Sequence, residues 1–105
     1  MPLTRNFRET VKARADRDPA FRIGLFQEAL DAFLEGDIET GKIVLRDYVN
    51  ATVGFESLGE ALDKNPKNLM RMLGPKGNPR ADNLFALLAH LKAQENVQFT
   101  LEARS

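Results

Sequence analysis

The pattern of apolar and polar residues predicts an all-helical chain. From Phe21 to Phe33, apolar residues recur every three or four positions, which is the spacing of one face of an α-helix. A second stripe runs from Gly41 to Thr52, and a third consists of leucines only: Leu84, Leu87, Leu88 and Leu91. The spacing therefore predicts a five- or six-helix bundle around one apolar core.

Capping residues and helix breakers indicate where these helices begin and end. Four polar residues are predicted N-caps: Thr4, Asp18, Asp37 and Asn65. Proline follows two of them, at Pro19 and Pro66, where its missing N–H costs nothing at the first helical position. Gly36 and Gly54 are predicted to end the second and third helices. A short fourth helix is predicted over 55–62 and a final helix over about 81–93.

The remaining segments predict a loop and a strand-like tail. The segment Gly74–Pro79 has two glycines and two prolines in six residues, which excludes a helix. The segment Val97–Leu101 alternates apolar and polar residues, as a half-buried β-strand does. We therefore expect one domain, 1–105. It comprises N-terminal helices (1–54), a helix-turn-helix with the following helix (55–93), and a short C-terminal β-strand (96–103).

Composition excludes several classes of protein. The 105 residues are 43% hydrophobic and 29% charged, which is ordinary for a globular domain. The chain has no cysteine, so a disulfide framework, a thiolate metal site and a thiol nucleophile are excluded. It has no signal-peptide pattern, and no apolar run approaches the roughly 20 residues that cross a bilayer. We expect a soluble, cytoplasmic protein with no membrane partner.

The charges are segregated along the chain although the net charge is zero. Residues 64–80 carry five cations and no acidic residue. Residues 27–47 carry six acidic residues against only Lys42 and Arg46. This separation indicates that one face suits an anionic partner and another face suits something else.

Residues 55–72 have the arrangement of a helix-turn-helix, with two short helices joined by a turn of about three residues. Gly59 is predicted on the inner side of the first helix, where the second crosses it closely. Four residues are predicted to form the shared core: Leu58, Leu62, Leu69 and Met72. The outer residues then lie near the N-terminal half of the second helix, the part of a recognition helix that meets base edges in a major groove.

The side chains left outside have the chemistry that base and phosphate recognition needs. Arg71 can pair bidentately with guanine, Asn68 with adenine, and Lys67 with guanine or phosphate. Lys76 and Arg80 can contact phosphates, and backbone donors near Asn83 at the start of the last helix can do the same. The candidate DNA-binding residues are Lys64, Asn65, Pro66, Lys67, Asn68, Met70, Arg71, Lys76, Arg80 and Asn83.

Residues 55–91 resemble the Cro/C1-type (Xre-like) helix-turn-helix of lambda-repressor-like proteins, in which a reading helix precedes a loop and a leucine-rich helix. The chain differs from that family at Asp63, where the turn usually has glycine, and at Lys64, where an apolar residue is usual. Over nearly its whole length it more specifically resembles the small HigA-like antitoxins, the "probable addiction module antidote" proteins. The segments that carry this resemblance are Phe7 with Thr10–Val11, Gly41–Tyr48, Asn50–Phe55, Asn68–Pro75, Gly77–Pro79 and Asn83–Phe85.

The resemblance implies a DNA-binding regulator, often encoded beside a RelE-like toxin that it neutralises. Because one short helix contacts few base pairs, we also expect a homodimer, formed either by the tail Val97–Leu101 or by the exposed side of the last helix. The residues alone leave an alternative, a non-enzymatic helical interaction module whose basic patch binds an acidic protein. His90 has no second histidine or cysteine to complete a metal site, and we expect no cofactor and no catalysis.

Overall fold

The computed structural model describes the backbone of residues 5–105 and the side chains from Thr10 onward. This part of the chain forms six α-helices: α1 (Arg5–Arg17), α2 (Pro19–Leu34), α3 (Ile38–Ala51), α4 (Phe55–Leu62), α5 (Pro66–Met72) and α6 (Ala81–Glu95). The prediction of a helical bundle is confirmed. The predicted N-cap at Thr4 lies outside the described residues. None of these helices has the length and hydrophobicity needed to span a membrane.

The other three predicted N-caps are confirmed by hydrogen bonds. The Asp18 carboxylate accepts from the Phe21 N–H at 3.2 Å, and the Asp37 carboxylate accepts from the Thr40 N–H at 3.2 Å. The Asn65 side-chain oxygen accepts from the Lys67 N–H at 2.9 Å. Each bond satisfies a donor that the first helical turn would otherwise leave unpaired, so replacing such a cap with alanine typically costs about 1 kcal/mol.

One apolar core joins the N-terminal helices to the helix-turn-helix. α2 and α3 share the most extensive helix–helix contact of the described chain, and the rings of Phe26 and Tyr48 lie 5.0 Å apart between them. Every helix from α2 to α6 contributes buried side chains to the same cluster, including Leu45, Val49, Leu58, Leu69, Leu87 and Leu91. Since α4, α5 and α6 have no separate core, the orientation of α5 depends on packing against the rest of the bundle.

A polar network ties the C-terminal end of α6 to the N-terminal helices. The Tyr48 hydroxyl donates to Glu95 Oε1 at 2.6 Å, and Arg22 Nε lies 3.2 Å from Glu95 Oε2. Arg22 Nη1 also donates to the Ala15 carbonyl at 2.6 Å. Burial, and then the hydrogen bond to Glu95, raise the pKa of Tyr48 well above its usual value, so the hydroxyl stays a donor.

The predicted C-terminal strand is wrong. α6 ends at Glu95, and no strand occurs anywhere in residues 5–105. The alternation has a different cause, because Val97 and Phe99 face the bundle while Gln98 and Thr100 face solvent. Phe99 packs edge-on against Phe26, with ring centroids 5.2 Å apart. Alternate side chains of the tail therefore contact the bundle, although no partner strand supplies ladder hydrogen bonds.

Candidate nucleic-acid interface

The turn between α4 and α5 is short and closed by backbone hydrogen bonds. Asp63 adopts the left-handed conformation, with φ of 54° and ψ of 49°. Its N–H donates to the Glu60 carbonyl at 3.3 Å, and the Lys64 N–H donates to the Gly59 carbonyl at 2.8 Å. This pair of bonds is the Schellman motif, with Asp63 at the position that usually holds glycine. Asn65 then caps α5, which confirms the predicted three-residue turn.

The position of Gly59 explains how the turn folds back so closely. Gly59 is buried, and a Cβ on it would lie 2.7 Å from the Lys64 carbonyl oxygen and 3.0 Å from Pro66 Cγ. Only glycine allows this approach without displacing the turn backbone. The prediction that Gly59 lies on the inner side of the first helix is confirmed.

α5 has one buried face and one exposed face, as predicted. Leu69 is buried and Met72 half-buried against the core, together with Leu58 and Leu62 of α4. The opposite face leaves four predicted side chains in solvent: Lys67, Asn68, Met70 and Arg71. A helix held by one face over a shared core presents the other face in a fixed orientation.

An open groove of about 680 Å³ runs between α5, the loop after it and the start of α6. Seven of the ten predicted residues line this groove: Lys64, Asn65, Asn68, Arg71, Lys76, Arg80 and Asn83. The other three do not. Pro66 is half-buried beside Gly59, whereas Lys67 and Met70 are exposed on α5 outside the groove lining.

The groove is rich in cations but includes two acidic neighbours. Within the described residues, no ion pair involves Lys64, Arg71 or Lys76. Arg80 Nε lies 3.4 Å from Asp82 Oδ1, and both side chains are exposed, so the pair is worth little and can exchange for a phosphate. Asp63 lines the groove directly. Sequence reasoning did not assign either carboxylate to this surface.

The start of α6 offers fewer free donors than the sequence predicts. The N-cap Arg80 makes no side-chain cap hydrogen bond, and the Asn83 N–H donates to Asp82 Oδ1 at 2.9 Å. The Asn83 side chain still lines the groove. Asn83 can therefore offer its side-chain amide to a ligand, because its backbone N–H already donates to Asp82.

Lys42 occupies a place that its charge does not predict. The sequence counts it as a surface cation that offsets the acidic segment 27–47, but its side chain is buried and only 1% of the residue is exposed. Its Nζ donates to the Gly74 carbonyl at 3.0 Å and to the Gly77 carbonyl at 2.7 Å. Helical register could have predicted this burial, because Lys42 shares one face of α3 with Leu45 and Val49.

A second, apolar groove of about 460 Å³ lies between α2, α6 and the tail. Four large apolar side chains around it are exposed: Leu34, Ile38, Phe85 and Leu101. Asp31 and Lys92 also line it. Exposed apolar area of this kind is typical of protein-contact surfaces.

Comparisons with known proteins add no relative to this description. Searches of family models, curated proteins and solved structures each found no match to the chain. Within the part of the chain that the structure describes, no group of three or more histidine, aspartate or glutamate side chains is placed to hold a metal ion.

Proposed function

We propose that this chain is a sequence-specific DNA-binding regulator that represses transcription and has no enzymatic activity. The observation that supports this proposal is the basic groove beside α5. It collects Lys64, Arg71, Lys76 and Arg80 with the amides of Asn65, Asn68 and Asn83. Asn68 and Arg71 lie on the exposed side of α5, the second helix of a helix-turn-helix with a three-residue turn. The others lie in that turn, in the following loop and at the start of α6.

The chemistry of the groove favours DNA over an acidic protein. Arginine and asparagine make bidentate pairs with base edges, and α5 presents one of each, Arg71 and Asn68, on its exposed face. The lysines and arginines around them can contact phosphate oxygens of the duplex backbone. An acidic protein would pair with the cations but would make no specific use of the amides.

A gel-shift experiment with the DNA upstream of the gene tests this proposal. We expect a specific complex in which the logarithm of the affinity falls linearly with the logarithm of the salt concentration. The reason is that lysine and arginine side chains release counterions from the phosphates when they bind. Arg71→Ala should weaken the complex, whereas the control Arg104→Ala, in the exposed irregular tail, should not. Binding to an acidic protein but to no duplex would favour the interaction module instead.

We further propose that the protein is an antitoxin that represses its own operon and neutralises a RelE-like toxin. The support is a second surface distinct from the basic groove: the α2 side of the apolar groove, where Leu34 and Asp31 are exposed. Its character suits a basic protein with an apolar contact region. Co-expression with the toxin encoded by the neighbouring small reading frame tests this proposal. The wild type and Arg71→Ala should both restore growth, because Arg71 lies in the basic groove and outside the apolar surface. Failure of both to rescue contradicts it.

We also propose a two-fold homodimer. Two copies of α5 must lie about 34–36 Å apart to read successive major grooves. Residues 5–105 contain no strand that could pair two copies, so the exposed side of α6 is the remaining predicted surface. Phe85 is 66% exposed there, five residues after the groove residue Arg80. An apolar contact between two copies at Phe85 would let α6 set the distance between the two α5 helices.

A further inference from the structure

The buried ammonium group of Lys42 makes two hydrogen bonds and one ion pair. A lysine ammonium has three N–H donors. Here it meets the Gly74 carbonyl at 3.0 Å, the Gly77 carbonyl at 2.7 Å and Glu39 Oε1 at 3.0 Å. Two of these acceptors belong to the loop after α5, more than thirty residues further along the chain. Lys42 therefore links α3 to the loop that lines the basic groove.

The same loop also packs tightly on the end of α5. The Gly77 N–H donates to the Gly74 carbonyl at 3.0 Å, which closes a turn around Pro75 and Lys76. A Cβ on Gly77 would overlap the carbonyl oxygens of Arg71 and Met72. The loop backbone is thus fixed on one side by α5 and on the other side by Lys42.

We propose that Lys42 is a positioning residue for DNA binding, one that holds Lys76 and Arg80 at the rim of the groove before DNA arrives. This inference rests on the proposed function. A loop rich in glycine and proline but without an anchor must be ordered on binding, and that ordering reduces affinity. Lys42 touches no DNA in this scheme. It acts through the Gly74 and Gly77 carbonyls, and its effect depends on the loop cations.

A double-mutant cycle tests this dependence. Lys42→Met keeps an unbranched apolar stem, one heavy atom shorter than lysine, and removes the N–H donors. We expect operator affinity to fall about 3- to 10-fold, the range for immobilising one or two side chains on binding. In the Lys76→Ala/Arg80→Ala background, the same substitution should have almost no effect. Lys12→Met is the matched control, because it removes an exposed α1 lysine outside the groove. A loss that is equal in both backgrounds, or no loss in either, overturns the inference.

A second measurement separates this inference from the proposed function. Hydrogen exchange at the Gly77 amide needs no DNA, and we expect it to accelerate about 10-fold in Lys42→Met. Unchanged exchange overturns the inference. Faster exchange in a protein that binds no duplex overturns the proposed function alone. If Lys42→Met fails to fold, Gly77→Ala replaces it, because its Cβ displaces the loop from α5. Gly77→Ala must then weaken operator binding when Lys76 and Arg80 are present and have almost no effect when both are alanine.

Discussion

At the scale of single residues, the turn of the helix-turn-helix is the most constrained part of the site. Asp63 and Asn96 are the non-glycine residues with positive φ in the described chain, and each ends a helix with a Schellman pair of hydrogen bonds. A left-handed conformation costs an L-residue about 1–2 kcal/mol, less for asparagine and aspartate. Asp63 therefore carries a local strain in the turn that places α5.

Replacing Asp63 with glycine should stabilise the protein. We expect about 0.5–1 kcal/mol in the free energy of unfolding, because the relief of strain exceeds the extra chain entropy of glycine. Urea denaturation measures the difference. Asn96→Gly is the matched comparison at the end of α6, and its gain should be smaller because asparagine tolerates this conformation better. A destabilised Asp63→Gly variant would show that the aspartate side chain itself supports the turn.

Arg71 and Lys67 should contribute directly to operator binding. Both are exposed on α5, so removing either side chain leaves the core intact. We expect Arg71→Ala to cost about 1–3 kcal/mol and to relax the base preference at one position. Lys67→Ala should also weaken binding. Titration against an operator library measures both effects, and circular dichroism checks the fold. Unchanged affinity in both variants would remove α5 from the reading role.

At the scale of secondary-structure elements, helix boundaries were the most predictable feature. Asp18, Asp37 and Asn65 are local signals, and each acts on a donor two or three residues away. Long-range contacts were not predictable in this way. The carbonyl groups that Lys42 contacts lie in a loop more than thirty residues away, so sequence spacing does not reveal them. The alternation of apolar and polar residues in Val97–Leu101 fits a strand and an irregular tail equally well. The groove residues were found from the helix-turn-helix pattern, but the position of Asp82 among them was not.

The cap of α3 makes a pH-dependent contribution to stability. Side-chain and backbone hydrogen bonds from Thr40 lower the pKa of Asp37 below its usual 3.8. A lowered folded-state pKa gives stability that is complete above the unfolded value and is lost as the pH falls through the folded value. We expect Asp37→Ala to be less stable than the wild type at pH 7 and the difference to shrink below pH 3.8. Thermal denaturation across this range measures it, with Asp31→Ala, which caps no helix, as the control.

The loop between α5 and α6 should supply affinity without much sequence preference. Lys76 and Arg80 line the groove from a loop beyond the reading helix, where phosphates are the expected partners. We expect Lys76→Ala and Arg80→Ala each to reduce the slope of log affinity against log salt by about one unit, the loss of one phosphate contact. A salt titration measures the slope. An altered base preference in Lys76→Ala would contradict the assignment.

At the scale of the whole molecule, the two grooves suit different partners. The basic groove is bounded by α5 and the start of α6, and the apolar groove by α2, the body of α6 and the tail. α6 therefore contributes to both, with Asn83 in one lining and Phe85 in the other. Any partner seated on the apolar groove contacts the helix that also borders the basic groove.

The exposed side of α6 should hold two copies together. We expect Phe85→Asp to convert the dimer into a monomer at micromolar concentration, because it places a charge in the proposed apolar contact. Sedimentation measures the mass. The matched control is Ala13→Asp, which places the same charge at an exposed position of α1 outside the apolar groove. A wild-type monomer contradicts the dimer, and a Phe85→Asp dimer contradicts the α6 contact.

Under the proposed function, the contact between Lys42 and the loop also limits how binding specificity can be transferred to another helix-turn-helix protein. A chimera that receives only residues 55–80 takes the Gly74 and Gly77 carbonyls without the α3 lysine that they contact. The smallest transferable cassette therefore begins in α3, at Glu39 and Lys42, and ends at Asn83. Within it, libraries that vary the exposed positions of α5 should keep Lys42 and Gly77 constant, because these two residues shape the surface that every variant presents.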